Sequence, residues 1–274
     1  MPDRSYVIHA GQVTPIESDD HLHELADGDL SGRVPVIACG SNQSPSALAW
    51  KFARHEDGAV PVVRIRLKDF DTVYSAHFAG YGSIPATLHP VPGTVVTLFI
   101  NWLTAEQLAQ MHSTETGKGN YVYGELDNLE MDVEFGPSVT RAGAYIGTRG
   151  ALAINGRPVP LGEVQAEGRP HPALRQRDLI QKLLDLHALS DTVESYIQRN
   201  IDDEAERVGR QVREADICLE IRHGLRVVLL VERPNGWRTE HKGLVQLARV
   251  DGRVVAARTL QEILGELHHI EPNH

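Results

Sequence analysis

Residues 34–52 read VPVIACGSNQSPSALAWKF, and this stretch decides how the chain begins to fold. The apolar run 34–38 ends just before Gly40, and Ser44-Pro45 then opens a helical pattern. Serine as the N-cap with proline in the first turn is a typical helix start. The stretch therefore predicts a strand, a tight loop and a helix. The backbone N–H groups of such a loop point outward beside the positive end of the helix, where they suit a carboxylate or a developing oxyanion.

The segment that follows is rich in β-branched and aromatic residues between turn signals, which indicates strands. Residues 105–112 form a predicted helix with Thr104 as its cap, and Asn155-Gly156 predicts the turn of a tight hairpin. A glutamate after this helix, Glu115, would lie in a loop before the next strand. The predicted strands are 62–67, 72–78, 84–89, 94–102, 121–125, 129–135 and 143–146.

The hydrophobic period becomes helical after residue 172, which predicts a helix to about residue 186 and a second, polar helix over 190–213. Two strands, 225–232 and 243–250, and a helix over 259–267 complete the chain. Residues 1–33 are polar and turn-rich and predict an irregular arm with at most one edge strand. The predicted units are thus an arm (1–33), a β-rich unit (34–189) and a C-terminal extension (190–274). The extension is a lid, a dimer contact that would make a homodimer, or a small subdomain.

Composition argues against several classes of protein. The chain has 274 residues, 41% of them hydrophobic, and a formal charge of −10 without a long basic run, so no nucleic acid partner is expected. The absence of a signal-like start and of ~20 consecutive apolar residues predicts a cytoplasmic protein with no membrane partner. The cysteines, Cys39 and Cys218, fit neither a disulfide framework nor a zinc pattern. The cluster His21, His23 and Glu24 is interpreted as solvated surface, so no metal site is expected.

The ordered series of segments from about residue 34 to 189 resembles the gamma-glutamylcyclotransferase family. Residues 38–42, Ala-Cys-Gly-Ser-Asn, stand where that family has a Tyr-Gly-Ser-Asn loop. Residues 86–93 look like its strand-turn segment, and Leu-Thr-Ala-Glu-Gln-Leu at 103–108 looks like its short helix. The helix is followed in the family by an acidic residue, here Glu115, and then by a tyrosine that begins a strand, here Tyr121.

This resemblance implies an α+β fold, namely a small, mixed, mostly antiparallel β-barrel with flanking helices and a cavity at its mouth, here followed by a helix-hairpin-helix extension. It implies a cofactor-independent enzyme that cleaves an amide in a small, carboxylate-bearing substrate. The internal α-amine attacks the γ-carbonyl, a pyrrolidone ring closes and the old amine leaves, with Glu115 as general acid and base. The residues implied in substrate binding are Cys39, Gly40, Ser41, Asn42, Tyr121 and Tyr145.

Two departures from the family pattern keep alternatives open. Cys39 replaces the family's tyrosine, and Thr rather than the common Gly follows Glu115. A thiol at this loop suggests an amide hydrolase in which Cys39, with a lowered pKa, is the nucleophile. Its base would be His77, His89 or His112. A third interpretation is a non-catalytic module that binds a small carboxylate ligand.

Overall fold

The computed structural model describes residues 2–53, 58–117 and 119–208, together with five short strands between residues 218 and 246. The helices are α1 (Asp19–Leu25), a 3-10 turn (Ser41–Gln43), α2 (Pro45–Lys51), α3 (Ala105–Glu115), α4 (Gln176–Leu186) and α5 (Val193–Asp202). The strands are β1 (Tyr6–His9), β2 (Gln12–Pro15), β3 (Val34–Ala38), β4 (Val60–Tyr74), β5 (Ala86–Leu103), β6 (Tyr121–Leu126), β7 (Met131–Val133), β8 (Ala142–Gly147), β9 (Ala151–Ile154), β10 (Arg157–Pro158), β11 (Ala166–Glu167), β12 (Cys218–Leu219), β13 (Gly224–Val227), β14 (Leu229–Arg233), β15 (Gly236–Glu240) and β16 (Val245–Gln246).

A mostly antiparallel sheet organises these elements. Its strands follow the order β16-β13-β6-β8-β3-β5-β4-β1-β2, with β11 on β5 and β7 on β4. Among the described strands of this sheet, β3 and β8 form the only parallel pair. The expected α+β class with a mostly antiparallel sheet is therefore confirmed.

The expected closed barrel is not found. Along the described strands the path ends at β2 on one side and at β16 on the other, and no pairing joins these two ends. The reason on one side is the N-terminal hairpin, because β1 pairs with β4 through residues 60–62 and so occupies its free edge. The irregular arm expected over residues 1–33 is accordingly wrong, since it contains β1, β2 and α1. The division into three units stays a prediction.

The centre of the sheet is a long hairpin, and here the sequence was divided at the wrong places. Strands predicted as four pieces are two, β4 and β5, which pair from Val62↔Asn101 to Tyr74↔Ala86. A register shift between Lys68 and Phe70 surrounds Asp69, whose φ is +62° and whose carboxylate accepts the Gly93 N–H at 2.7 Å. Opposite Asp69, β5 has the four residues 91–94. The ladder is thus disrupted locally without ending either strand, so the turn-like Pro92 and Gly93 lie within β5.

The Asn-Gly hairpin is confirmed. Asn155 and Gly156 connect β9 and β10, with Ile154 opposite Arg157, and both turn residues have positive φ, 53° and 71°. This is the backbone conformation that a two-residue hairpin turn requires.

The helix expected over 105–112 is longer than predicted and ends at Glu115. Thr104 and Gln107 form a capping box at its start. The hydroxyls of Thr114 and Thr116 donate to the carbonyls of Met111 and His112 at 2.9 and 2.8 Å. Hydroxyls satisfied in this way are tolerated within a helix, so Glu115 belongs to the helix and not to the loop after it.

The C-terminal elements agree only in part with the sequence prediction. The helix expected over 190–213 begins at Val193 with Thr192 as its cap and ends at Asp202, after which residues 204–208 are helical. Within the strand expected over 225–232 the structure describes parts of β13 and β14, and within that expected over 243–250 it describes β16. The helix predicted over 259–267 lies outside the described residues.

Within the described part of the chain, no helix is long and apolar enough to cross a membrane.

Alternating side chains of the central strands contribute to two buried clusters. On β3, Val36 packs with residues of α2 and α3, whereas Ile37 belongs to the cluster that includes α4 and α5. Neighbouring residues of a strand point to opposite faces. The loop after β3 therefore lies between a helix-covered face and the other half of the core, which positions the site described below.

Gly143→Ala is predicted to destabilise the protein by about 1–3 kcal/mol, the cost of overpacking a close-packed core. A Cβ at Gly143 would lie 2.2 Å from the hydroxyl of Tyr123, whose buried ring packs edge-on against His112. Urea unfolding measures the effect. The control is Gly32→Ala, where no heavy atom lies within 4 Å of the new Cβ, and equal stability of the two variants would contradict the prediction.

Candidate active site

A cavity of about 1320 Å³ opens where β3, α2 and α3 end. Its lining includes every residue that the sequence resemblance assigns to the site, namely Cys39, Gly40, Ser41, Asn42, Glu115, Tyr121 and Tyr145. These residues come from four separate stretches of chain. The fold brings the predicted residues together, while their chemical roles stay predictions.

Glu115 and Lys51 form an ion pair at the inner end of this cavity. Lys51 is the last residue of α2, and its side chain is 7% exposed; the side chain of Glu115 is 16% exposed. The Lys51 ammonium donates to Oε1 of Glu115 and, at 2.5 Å, to Oδ1 of Asn42. Lys51 therefore links the carboxylate to the loop, and the two opposite charges compensate each other away from bulk water.

Lys51 was missed by the sequence analysis, although the sequence contains a signal. It follows Leu48 by three residues and precedes Phe52, and both of these are buried. Residues three and four apart share one face of a helix, so a lysine among them predicts a buried partner. Its neighbour Trp50, in contrast, is exposed.

The Gly40–Asn42 loop enters a 3-10 turn before α2 begins. The Gln43 N–H donates to the Gly40 carbonyl at 3.2 Å, and the Asn101 side chain donates to the Asn42 carbonyl at 3.0 Å. Tyr6 fixes the next carbonyl, that of Gln43, at 2.8 Å. The first N–H groups of a helical turn have no partner within it, so this loop holds donors in place at the cavity wall.

Both predicted tyrosines face the cavity with hydroxyls that already have protein partners. Tyr121 donates to the Ala86 carbonyl at 2.8 Å, and the Tyr145 hydroxyl lies 2.7 Å from Nδ1 of His112. Burial raises the pKa of both phenols well above 10, and the charge of Glu115 adds to this. Both tyrosines are thus neutral hydrogen-bonding groups at physiological pH.

Cys39 does not have the properties of an activated nucleophile. Burial, with a further contribution from the negative charge of Glu115, raises the pKa of its thiol to about 12. The prediction of a lowered pKa, which the thiol mechanism requires, is therefore wrong. The buried position and the neighbouring carboxylate both disfavour a thiolate. Cys39 is a buried thiol in the wall of the cavity.

Of the three histidines considered as bases for Cys39, two have other hydrogen-bond partners and the third lies outside the cavity lining. Nδ1 of His77 lies 3.0 Å from the Ser75 hydroxyl, and Nδ1 of His112 lies beside Tyr145. Burial lowers the pKa of His77 and of His112 to about 4. His89 is buried and lies outside the cavity lining.

In the described part of the chain, no group of His, Cys, Asp or Glu is arranged to hold a metal ion.

No protein-family model matches this chain, and no curated protein matches it. One similar solved structure is described as a gamma-glutamyl cyclotransferase, with a TM-score of 0.35 and 18% identity over 42% of this chain and 66% of that one. An uncharacterized protein from Homo sapiens has the same TM-score and identity over 43% of this chain and 68% of that one. A glutathione-specific gamma-glutamyl cyclotransferase from yeast has a TM-score of 0.27 and 13% identity over 64% of this chain and 99% of that one. The chain thus spans 66% of the length of the first structure, and two of the three names are those of the family that the sequence resembles.

Lys51→Met is predicted to destabilise the protein by about 3 kcal/mol, because it leaves a buried carboxylate without its cation. The double variant Lys51→Met/Glu115→Gln should recover part of this loss, since it removes both charges. Unfolding in urea measures both. Lys68→Met is the control, because Lys68 and Glu130 form an exposed ion pair and such pairs contribute about 0–1 kcal/mol. A Lys51 variant no less stable than the Lys68 variant would contradict the buried pair.

The unfolding free energy is predicted to fall as the pH drops from about 6.5 to about 4. In this window the unfolded chain protonates His77 and His112, whose ordinary pKa is 6.5, whereas the folded protein resists protonation until about pH 4. The loss is on the order of 3 kcal/mol for each histidine, at about 1.4 kcal/mol per pKa unit. Urea unfolding at both ends of the window should show a smaller loss in His77→Gln and His112→Gln than in the wild type. The exposed His9→Gln is the control, and an unchanged pH dependence in both variants would refute the assignment.

Proposed function

We propose that this chain is an amide-cleaving enzyme of the gamma-glutamyl cyclotransferase type. Glu115 would be its general acid and base, and the substrate a γ-glutamyl amide or a close analogue. One observation carries the proposal: a largely buried carboxylate faces the cavity and is joined through Lys51 to the Gly40–Asn42 loop. A cation, an anion and the Gly40–Asn42 loop thus line a single space.

The ion pair suits a substrate that carries both charges. A γ-glutamyl group has an α-ammonium and an α-carboxylate, so its ammonium can take Glu115 while its carboxylate takes Lys51. Four charges then alternate in sign, and no buried charge loses its partner during the exchange. Lys51 holds Oε1 of Glu115, which leaves Oε2 as the acceptor for the substrate.

The reaction follows from this placement. Glu115 removes a proton from the α-ammonium, and the free amine attacks the γ-carbonyl to form a C–N bond. The old C–N bond then breaks as Glu115 returns this proton to the departing nitrogen. The second proton of the ring nitrogen follows through Glu115 to the released amine, which leaves as an ammonium beside a neutral lactam. The products are a five-membered lactam and a free amine. Ring closure is intramolecular, so proximity replaces a second reactant, while the N–H groups of the loop would stabilise the oxyanion.

A second candidate function, a non-catalytic module that binds a small ligand, is supported by the ion pair of Lys51 and Glu115. Lys51 and Glu115 pair with each other, and the same two charges can bind a small zwitterion without cleaving it. Hydrolysis by water at Glu115 is a variant of the enzyme reading. The Cys39 thiol mechanism is not proposed, because the pKa of this thiol is raised.

Glu115→Gln is predicted to lower the rate of amine release at least ~100-fold, the usual contribution of a general acid and base. Wild type and variant are incubated with γ-glutamyl amides, ureido acids and simple primary amides, and the amine and 5-oxoproline are followed by mass spectrometry. The matched control is Glu130→Gln, at an exposed ion pair with Lys68, which should keep full activity.

The products separate the candidates. Release of both amine and 5-oxoproline supports cyclisation, whereas amine without the lactam means hydrolysis at the same site. Equal activity of wild type and Glu115→Gln would eliminate Glu115 as the catalyst. If the wild type cleaves nothing in the panel but binds γ-glutamyl amides in calorimetry, the binding module is the better description.

A further inference from the structure

The cavity has two chemically different ends. Its inner end holds the charged and polar groups of Lys51, Glu115 and Asn42, whereas its mouth has three exposed apolar side chains. Trp50 is 75% exposed, Tyr81 is 67% exposed and Ile201 is 42% exposed. A polar substrate of the size of an amino acid would not cover these apolar side chains.

Exposed large apolar side chains are concentrated at this cavity. Six large apolar side chains are exposed in the described part of the chain, the others being Val13, Leu186 and Val208. Half of the six line this cavity, including both of the aromatic ones. Single exposed apolar residues need no explanation, but several at one concave site indicate binding.

Trp50 is held at the mouth by the same helix that carries Lys51. The two residues are consecutive near the end of α2, so their side chains diverge by about 100°. Lys51 points to the ion pair, and Trp50 consequently projects to the rim. The geometry of one helical turn thereby fixes an indole beside the charged end.

Tyr81 is held by a tight turn that packs on α5. The Gly82 N–H donates to the Ala79 carbonyl at 2.9 Å, and the Ala79 N–H donates to the Ser83 carbonyl at 2.8 Å. Gly82 has a φ of +81°, and a Cβ there would lie 2.9 Å from the Ile197 carbonyl oxygen. Only glycine permits this contact, which supports Tyr81 beside the helix that provides Ile201.

The volume of the cavity leaves room for a second group. Pockets for drug-sized ligands measure roughly 300–1,000 Å³, and this one is about 1320 Å³. A γ-glutamyl head at the inner end would fill a minor part of that space. The remainder lies toward the mouth, where the departing amine of the amide would be.

We propose that Trp50 and Tyr81 bind an aromatic or bulky apolar amine portion of the substrate, and so make the site selective for γ-glutamyl amides of apolar amines. The inference rests on the proposed function for the position of the γ-glutamyl head. Aromatic side chains gain by burying their faces against a flat ring, and Trp and Tyr provide such faces at low entropic cost.

The test compares binding of two probes, γ-glutamyl-1-naphthylamide and γ-glutamylalanine, by calorimetry with the full chain carrying Glu115→Gln, so that turnover does not consume them. The naphthylamide is expected to bind at least ~10-fold more tightly, since burial of one large apolar side chain amounts to about that factor or more. Adding Trp50→Ala and Tyr81→Ala should remove most of this ratio. Leu186→Ala, an exposed apolar residue outside the cavity lining, is the control and should preserve it.

Turnover by the chain with native Glu115 then separates the two proposals. If neither probe is cleaved but the affinity ratio depends on Trp50 and Tyr81, the apolar mouth stands and the proposed function fails. If both probes are cleaved and the ratio is the same with and without the two aromatic side chains, the proposed function stands and the apolar mouth is refuted. No measurable binding of the naphthylamide would also refute it, and would favour a protein surface as the occupant of the mouth.

Discussion

The ends of α2 and α3 meet in the ion pair of Lys51 and Glu115, and the inner end of the cavity is arranged around it. Each of the two residues is the last in its helix. The C-terminal end of a helix carries a partial negative charge, which favours Lys51 but disfavours Glu115 by about 0.3–1 kcal/mol. Lys51 offsets this cost and at the same time holds the Asn42 side chain. One ammonium group thus contacts both the Asn42 side chain and the Glu115 carboxylate, and it balances the charge of that carboxylate.

The same helix explains why the cavity is charged inside and apolar at its mouth. Consecutive residues of α2 diverge, so Lys51 is buried while Trp50 is exposed. Burial raises the pKa of Cys39, Tyr121 and Tyr145, and the charge of Glu115 adds to this effect. The thiol and the two phenols are therefore in their neutral forms. Glu115 is thus surrounded by neutral groups that shape the space around it.

Local sequence signals were sufficient wherever the structure is determined by neighbours along the chain. The Asn155-Gly156 hairpin, the Ser44-Pro45 helix start and the Thr104 cap depend on turn and capping geometry, which needs few residues. They were insufficient where a partner decides. The bulge at Asp69 appears as a strand end until Gly93 is opposite it, and the long β4 and β5 were consequently divided. In the N-terminal hairpin only one edge strand was allowed for, because no local pattern contains its pairing with β4.

By itself, the sequence determined the mixed fold class, the strand-loop-helix unit at residues 34–52 and, through the family resemblance, seven of the residues that line the cavity. These depend on periodicity, turn chemistry and an ordered series of motifs, all of which are read along the chain. Only the tertiary structure decided that Lys51 faces Glu115, that burial raises the pKa of the Cys39 thiol, and that Trp50 and Tyr81 line the same cavity. Lys51 and Glu115 are 64 residues apart. Their distance and the solvent exposure of the cavity follow from the packing of helices on the sheet, and a local pattern contains neither quantity.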